Sequence, residues 1–566
     1  MWRDARTLHR PVLSACTLAA SLVSAAPSCG SPREAALPNC SVLTLSGFAV
    51  TNVSISAATP VRAVAPNPRY CAIRGTVTTD GEGAGPGSAQ FSLRLPALWN
   101  NRLVFFGCGG NCGSLANVSA NQTDIAAALG RGYAVVNTDA GHEQDPSTPD
   151  PTWVLLAPGV PNEPAIIDFF YRAVHQVTVA AKRLTEDYYS DGIKHAYFDG
   201  CSTGGRQSLM EGERYPEDFD GLIAGDPIID LDDQRAATIK QAKAFLLPEA
   251  YIPFALIPAI DAAVNSNCDG ADGVVDELIQ NPAQCSFDPH SLVPSILTAA
   301  QADALELYLK KVVDTEGRVV APGMTVGDYA TSGFERQAEI ATPAVDPAGP
   351  EPWGGVGTGP QAWMLGDSGI RYFIERDPTF DVNNDWPEHR NLISAAAVAL
   401  LRERSGAGDA DDPRKLHEFL RQGRKAILYH GFSDNEASPY RSLWFYEAVA
   451  NEEHGYASLQ THARLFMVPG MGHCSGGPGP NSFDTLRALD EWTTKGIAPD
   501  SVVATNSDSG RTMPLCAFPA AASYLGGPVN LASSWACQAG DKRLLAIGFD
   551  GELAGAGARD GELERR

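Results

Sequence analysis

Two short motifs far apart in the chain, Gly200-Cys201-Ser202-Thr203-Gly204 and Gly472-His473-Cys474, restrict the fold more than any other feature. The first has the form Gly-x-Ser-x-Gly, the sharp strand-to-helix turn that presents a nucleophilic serine above a sheet. Lys194 to Phe198 read as a short aromatic strand in front of it, and Arg206 to Met210 continue as helix behind it. Gly204 and Gly205 let that helix approach the strand closely. A bare Gly-x-Ser-x-Gly string is as often an ordinary glycine turn; the strand before it and the helix after it shift the reading to a nucleophile. A cysteine stands beside each reactive residue, so a Cys201–Cys474 disulfide would fasten the serine turn to the histidine loop.

The surrounding pattern is that of an α/β protein. Arg102 to Phe106, Tyr133 to Asn137, Gly221 to Gly225, Ala426 to His430 and Leu465 to Pro469 are continuous apolar strands, and a long amphipathic helix is expected from Ile166 to Tyr189. Such strands alternating with helices indicate a parallel sheet covered on both faces. Between Cys40 and Pro96 short antiparallel strands are expected, at Val42 to Leu45, Phe48 to Val50 and Phe91 to Leu95. From Asp226 to about Gln422 the strand rhythm stops. That stretch holds helices, many Gly and Pro, and the aromatics Trp353, Trp363, Tyr372, Phe373 and Trp386, and reads as an inserted lid. The expected layout is a signal peptide at 1–25, the first part of the core at 26–227, the lid at 228–422, the second part of the core at 423–550 and a frayed tail at 551–566.

A serine nucleophile needs a base, and the base needs an acid to orient it. On an α/β-hydrolase core these follow in the order Ser, Asp, His. His473 sits in a loop after a strand end, and Asp434 follows the preceding strand at His430-Gly431-Phe432-Ser433-Asp434. Asp434 also reads as a turn residue capping the next helix; order and cysteine pattern together select the triad Ser202, Asp434 and His473. The oxyanion donors would be the N–H of Thr203 and one from the glycine loop after strand 102–106, at Gly109 or Gly110.

Composition sets the compartment. Formal charge is −24, which argues against nucleic acid and anionic membrane as partners. Arg3, Arg6 and Arg10 precede an apolar run from Val12 to Ala26, with Val23-Ser24-Ala25 as a cleavage site, so export is expected. Lipid attachment at Cys29 competes with that reading, and Ala26-Pro27-Ser28 matches it poorly. No other stretch is long enough to span a membrane. Of 12 cysteines, Cys16 leaves with the signal. The expected bridges are Cys201–Cys474, Cys268–Cys285, Cys516–Cys537 and Cys40–Cys71, with Cys108 and Cys112 closing a small loop and Cys29 left over. Spacing alone does not fix this connectivity. Sequons begin at Asn39, Asn52, Asn117 and Asn121, with chance as the default reading.

A third cluster runs from Cys268 to Cys285. Asp269, Asp272 and Asp276 around a central glycine suit a hard cation that takes oxygen ligands, and the carbonyls of Val274 and Leu278 would complete the shell. The bland alternative is a solvated acidic turn. Calcium there would stabilise the lid, because the loop carries no plain catalytic base.

Taken together these residues resemble the tannase and feruloyl esterase family, which also contains mono(2-hydroxyethyl) terephthalate hydrolases. The matching segments are Thr138 to His142, Asp168 to His175, Gly200 to Arg206, the acidic loop 268–285, His430 to Asp434, Gly470 to Gly477, and Arg511 to Pro519 with Cys537. The resemblance implies an α/β-hydrolase core with a lid, a disulfide between the neighbours of Ser202 and His473, and structural Ca2+ at Asp269, Asp272, Val274, Asp276 and Leu278. It implies hydrolysis of esters of aromatic acids such as ferulate or gallate, free or attached to a plant polymer. Thr203 is similar to the tannase and feruloyl esterase form of the motif; the terephthalate form has an acidic residue there. Cys108 and Cys112 depart from the small residues expected in that loop. The competing classes are a terephthalate-type hydrolase, a calcium-dependent binding protein without catalysis, and a peptidase, for which no peptide-positioning feature is visible.

Overall fold

The computed structural model describes residues 37, 39–48, 50–119, 122–144, 151–331, 343–355 and 358–539. The expected signal peptide, Cys16, Cys29, the sequon at Asn121 and the tail 551–566 lie outside them.

Nine strands form one central sheet: β1 (Val53–Val61), β2 (Tyr70–Gly81), β3 (Ala84–Pro96), β4 (Arg102–Phe106), β5 (Ala134–Thr138), β6 (His195–Cys201), β7 (Gly221–Gly225), β8 (Lys425–Gly431) and β9 (Ala463–Val468). Their order across the sheet is β1-β2-β3-β5-β4-β6-β7-β8-β9. β1, β2 and β3 pair antiparallel, and β3 meets β5 antiparallel. From β5 to β9 all pairs are parallel. Every residue of β5, β7 and β9 is buried, as continuous apolar strands covered on two faces require.

At the N-terminal end Val42–Leu45 is a single helical turn rather than a strand, and neither Phe48 nor Val50 lies in one. Ser41 explains the turn: its hydroxyl accepts from the Thr44 N–H, which nucleates a helix. Only Leu45 of the four is buried, so the alternation seen in the sequence has no sheet face to serve.

The expected long helix forms over 163–189 and contains one widened turn at Asp168–Arg172. There Asp168 and Arg172 make a wholly buried ion pair at 2.7 Å, and Thr79 of β2 donates to the same carboxylate. The pair ties this helix to the antiparallel strands.

The chain between β7 and β8 is not strand-free. It contains a small four-stranded sheet of two- and three-residue strands, at Val312–Asp314, Val319–Ala321, Glu388–His389 and Leu392–Ile393. Residues 244–329 of the insertion supply a cluster with its own apolar centre, including Ile252, Leu305 and Tyr308. The remainder shares the main core. All five aromatics singled out in the insertion are buried. Phe373 packs against Trp153 and Phe170, at centroid distances of 5.6 and 6.1 Å, and Trp353 tilts against Trp363. Phe373 thereby joins the insertion to the core, while the Trp353–Trp363 pair lies within the insertion. Among the described residues no helix is long and apolar enough to cross a membrane.

Candidate active site

The serine turn is built by close approach. Ser202 follows β6 at φ 62°, ψ −124°, a conformation that non-glycine residues adopt only under constraint. Its N–H donates to the Gly225 carbonyl of the neighbouring strand at 2.9 Å, and its carbonyl accepts from the Arg206 N–H in the helix Thr203–Arg214. A Cβ at Gly200 would stand 2.4 Å from the Gly204 carbonyl oxygen, and one at Gly204 would stand 2.7 Å from Ser119 Oγ. The glycines are therefore required for the helix to fold back over the strand.

Ser202, Asp226, Asp434 and His473 all follow the carboxyl ends of adjacent parallel strands β6, β7, β8 and β9. The Cys201–Cys474 bridge, with Cα atoms 5.9 Å apart, fastens the first of these turns to the last. The other four bridges form as well, Cys40–Cys71, Cys108–Cys112, Cys268–Cys285 and Cys516–Cys537. Ser202 Oγ makes no hydrogen bond among the described residues.

His473 Nδ1 lies 2.7 Å from Asp434 Oδ2. Asp434 is fully buried and accepts four hydrogen bonds. His473 and His430 share Oδ2, the latter at 3.1 Å, and the N–H groups of Glu436 and Ala437 reach Oδ1 at 2.7 and 2.9 Å. His430 Nε2 faces two acceptors, Asp434 Oδ2 and the Ala437 carbonyl, so it carries the proton; Nδ1 then accepts from Ser442 Oγ at 2.8 Å. Burial would raise the Asp434 pKa, but the His473 charge and the bonds from both imidazoles hold it far below the usual carboxylate range. For His473 burial pulls downward, while Asp434 and then Glu436 pull up more strongly, to about 10. Asp226, also buried, accepts from the Gly431 N–H and is pushed up to about 7, by burial first and by repulsion from Asp434.

His430 and Asp226 were not singled out from sequence. His430 sits in the segment that identified Asp434, but its partner Ser442 comes from the following helix.

The glycine loop after β4 is closed by Cys108–Cys112 and braced by Asn117. The Asn117 amide accepts from the Gly109 N–H at 3.3 Å and donates to the carbonyls of Gly109 and Cys112. Asn117 is thus a structural residue rather than a free sequon. Thr203 Oγ1 donates to the Gly110 carbonyl at 2.7 Å. With Gly109 N–H engaged, Gly110 is the candidate whose N–H has no acceptor among the described residues; it stands at φ 54°. The Thr203 N–H opens its helix, where donors lack intrahelical partners.

The loop 268–285 is closed by its bridge and folded around Asp269. This carboxylate accepts from the N–H groups of Asp276, Glu277 and Leu278. Asp272 Oδ1 accepts from the Val274 N–H, and Arg511 pairs with Asp276 Oδ2 at 2.8 Å. Two buried oxygens stay without a donor, Asp272 Oδ2 and Asp276 Oδ1. Burial, with repulsion from Asp276 and Asp269 behind it, raises the Asp272 pKa to about 6. Leu278 leans on Gly470 at the start of the His473 loop: a Cβ there would lie 2.4 Å from the Leu278 side chain.

The insertion also grips the acid loop. Thr325 donates to the Phe432 carbonyl, Ser433 to Asp328, Ser438 to the Gly323 carbonyl, and Gln361 to Glu436.

A family model described as tannase and feruloyl esterase matches residues 71–538. The chain is 31% identical over 526 residues to the mono(2-hydroxyethyl) terephthalate hydrolase of Piscinibacter sakaiensis, covering 83% of this chain and 85% of that one. It is 28% identical over 462 residues to a probable feruloyl esterase of Arthroderma benhamiae, covering 79% and 81%. The crystal structure of feruloyl esterase B from Aspergillus oryzae matches with a TM-score of 0.73 at 23% identity, covering 86% of this chain and 97% of that one. Tannin acyl hydrolase from Aspergillus niger gives 0.71 at 20% identity, covering 91% and 98%. These two likenesses speak for the fold.

Proposed function

The chain belongs to the tannase and feruloyl esterase family, which makes it a carboxylic-ester hydrolase on an α/β-hydrolase fold, and from that premise we propose that it cleaves esters of phenolic acids through an acyl-enzyme on Ser202. The observation that carries this reading is the 2.7 Å bond from His473 Nδ1 to a fully satisfied Asp434, in a loop fastened covalently to the serine turn.

His473 Nε2 takes the Ser202 proton as Oγ attacks the ester carbonyl. Asp434 fixes the ring tautomer and stabilises the imidazolium. The N–H groups of Thr203 and Gly110 receive the oxyanion. The alcohol leaves with the proton from His473, and water then repeats the attack on the acyl-enzyme. The ferulate class is favoured by the name of the Arthroderma benhamiae relative and by threonine at position 203; the terephthalate class is favoured by the Piscinibacter sakaiensis relative.

The proposal extends to a Ca2+ ion held by Asp269, Asp272 and Asp276 with the carbonyls of Val274 and Leu278. The two donorless oxygens of Asp272 and Asp276 support it. Bound there, the ion would supply charge balance and stiffen the loop on which Gly470 rests. Five disulfides support export to an oxidising compartment.

The test is hydrolysis of methyl ferulate, methyl p-coumarate, methyl gallate and mono(2-hydroxyethyl) terephthalate by wild type beside Ser202→Ala. The phenolic esters are expected to turn over, with kcat falling at least about 10³-fold in the variant. Full activity in Ser202→Ala would overturn the reading, and preference for the terephthalate ester would replace its substrate class.

A further inference from the structure

The ring of His473 has two nitrogens, and Asp434 accounts for one. The other, Nε2, is the atom that must accept the Ser202 proton in the reaction proposed above. A second carboxylate stands beside it: Glu436 Oε2 is 3.8 Å from His473 Nε2, with the Glu436 side chain only 15% exposed. The insertion holds Glu436 from two directions. Gln361 Nε2 donates to Glu436 Oε2 at 3.0 Å, and Gln234 Nε2 donates to the Glu436 carbonyl at 2.8 Å. From the core side the Glu436 N–H donates to Asp434 Oδ1. One imidazole is therefore flanked by a carboxylate at each nitrogen, and the outer one is fixed by groups that belong to the lid.

The physical consequence follows from charge. An imidazole between two anions keeps its proton to higher pH, because both anions stabilise the cationic ring. Only the neutral ring can take a proton from serine. We propose that Glu436, held by Gln361 and Gln234, is a positioning residue that keeps His473 protonated in the resting site and so sets the pH above which Ser202 is activated. This rests on the reading of His473 as the general base. The groups facing His473 are Asp434 and Glu436 from the loop after β8, and Asp226 from the end of β7, which lies behind His430. Asp434 is hydrogen-bonded to His473 on the side away from the serine. Glu436 is the anion on the reacting side, and its removal leaves the Asp434 bond in place. The upward shift of His473, to which Glu436 contributes second after Asp434 among the charges, agrees with this geometry.

The experiment is the pH dependence of kcat/KM for methyl ferulate from about pH 5 to 10, which reports the free enzyme's base. In Glu436→Gln the Gln361 contact can persist while the charge is lost. Its acid limb is expected about one pH unit below that of wild type. Gln361→Ala should move the limb the same way by less, because a released carboxylate turns toward water and is screened. A lowered plateau with an unmoved limb in Glu436→Gln would assign Glu436 a merely structural role and overturn the proposal. Titration of the His473 ring by NMR in isotopically labelled wild type and Glu436→Gln, assigned with His473→Asn, reads the same quantity without turnover. Equal midpoints there overturn the proposal even if methyl ferulate is not a substrate. A lowered midpoint in a protein that hydrolyses no ester would sustain the charge coupling and reject the catalytic reading instead.

Discussion

Asp434 is a fully buried carboxylate and Asp272 a half-buried one with one oxygen shut off from water, and the protein treats them in opposite ways. Asp434 receives two backbone N–H groups and two imidazoles, and stays charged although it is fully buried. Asp272 receives one backbone N–H, has a second oxygen with none, and is pushed up to about 6. A buried acid keeps its charge where the chain supplies donors; elsewhere it calls for a proton or a cation. The Asp434 carboxylate is fully provided with donors, whereas Asp272 keeps one oxygen without a donor, the oxygen that the proposed Ca2+ would take.

Breaking the first half of that comparison should have the largest effect. Asp434→Asn removes the acceptor that His473 and His430 share and leaves a buried amide against two imidazoles. We expect kcat on a phenolic ester to fall by about 10³- to 10⁴-fold with near-native circular dichroism. A loss under about tenfold would mean that His473 is oriented by other groups. Because the folded pKa of Asp434 is depressed, its contribution to stability is present above the usual carboxylate range near pH 4 and is lost as pH falls below it.

The second half is tested by metal removal. A chelator at neutral pH should lower Tm by several degrees, and added Ca2+ should restore it. The pH dependence carries the sharper information. Asp272 has a raised pKa without a cation, so the charged form costs stability above about pH 6, and protonation relieves that cost as pH falls toward its unfolded value. The Tm gain from Ca2+ should therefore shrink between about pH 7 and 5. Asp226, Asp139 and Asp199, each pushed up to about 7 by burial, shift stability the same way with and without the ion, and the difference between the two curves removes them. A gain that is constant with pH would place the ion away from Asp272.

The same contrast explains what the sequence could disclose. Ser202, Asp434 and His473 were legible because each lies in a local pattern: glycines around the serine, a cysteine beside serine and histidine, a strand before each turn. The parallel strands were legible from continuous apolar runs. His430, Asp226 and Glu436 were not, because their significance comes from partners on other elements, Ser442, the Gly431 N–H and Gln361. Apolar size says that Trp363 and Phe373 bury themselves, but not that Trp363 does so against Trp353, and Phe373 against Trp153 and Phe170. Val42 to Leu45 misled because a serine cap outweighed strand-like alternation over four residues.

The smallest effect is expected in the oxyanion loop, where covalent and hydrogen-bonded support can be compared directly. Cys108–Cys112 spans a sequence separation of only four, so it removes little chain entropy from the loop. Asn117 instead makes three hydrogen bonds that fix Gly109 and Cys112 around Gly110. If donors rather than covalent links hold this loop, as they hold Asp434, Asn117→Ala should lower kcat by about ten- to a hundredfold with KM little changed. Replacing both cysteines by serine should then cost less than about tenfold. The reverse order would mean that the bridge holds the oxyanion donor. The contrast between self-sufficient and dependent loops would then run through the active site itself.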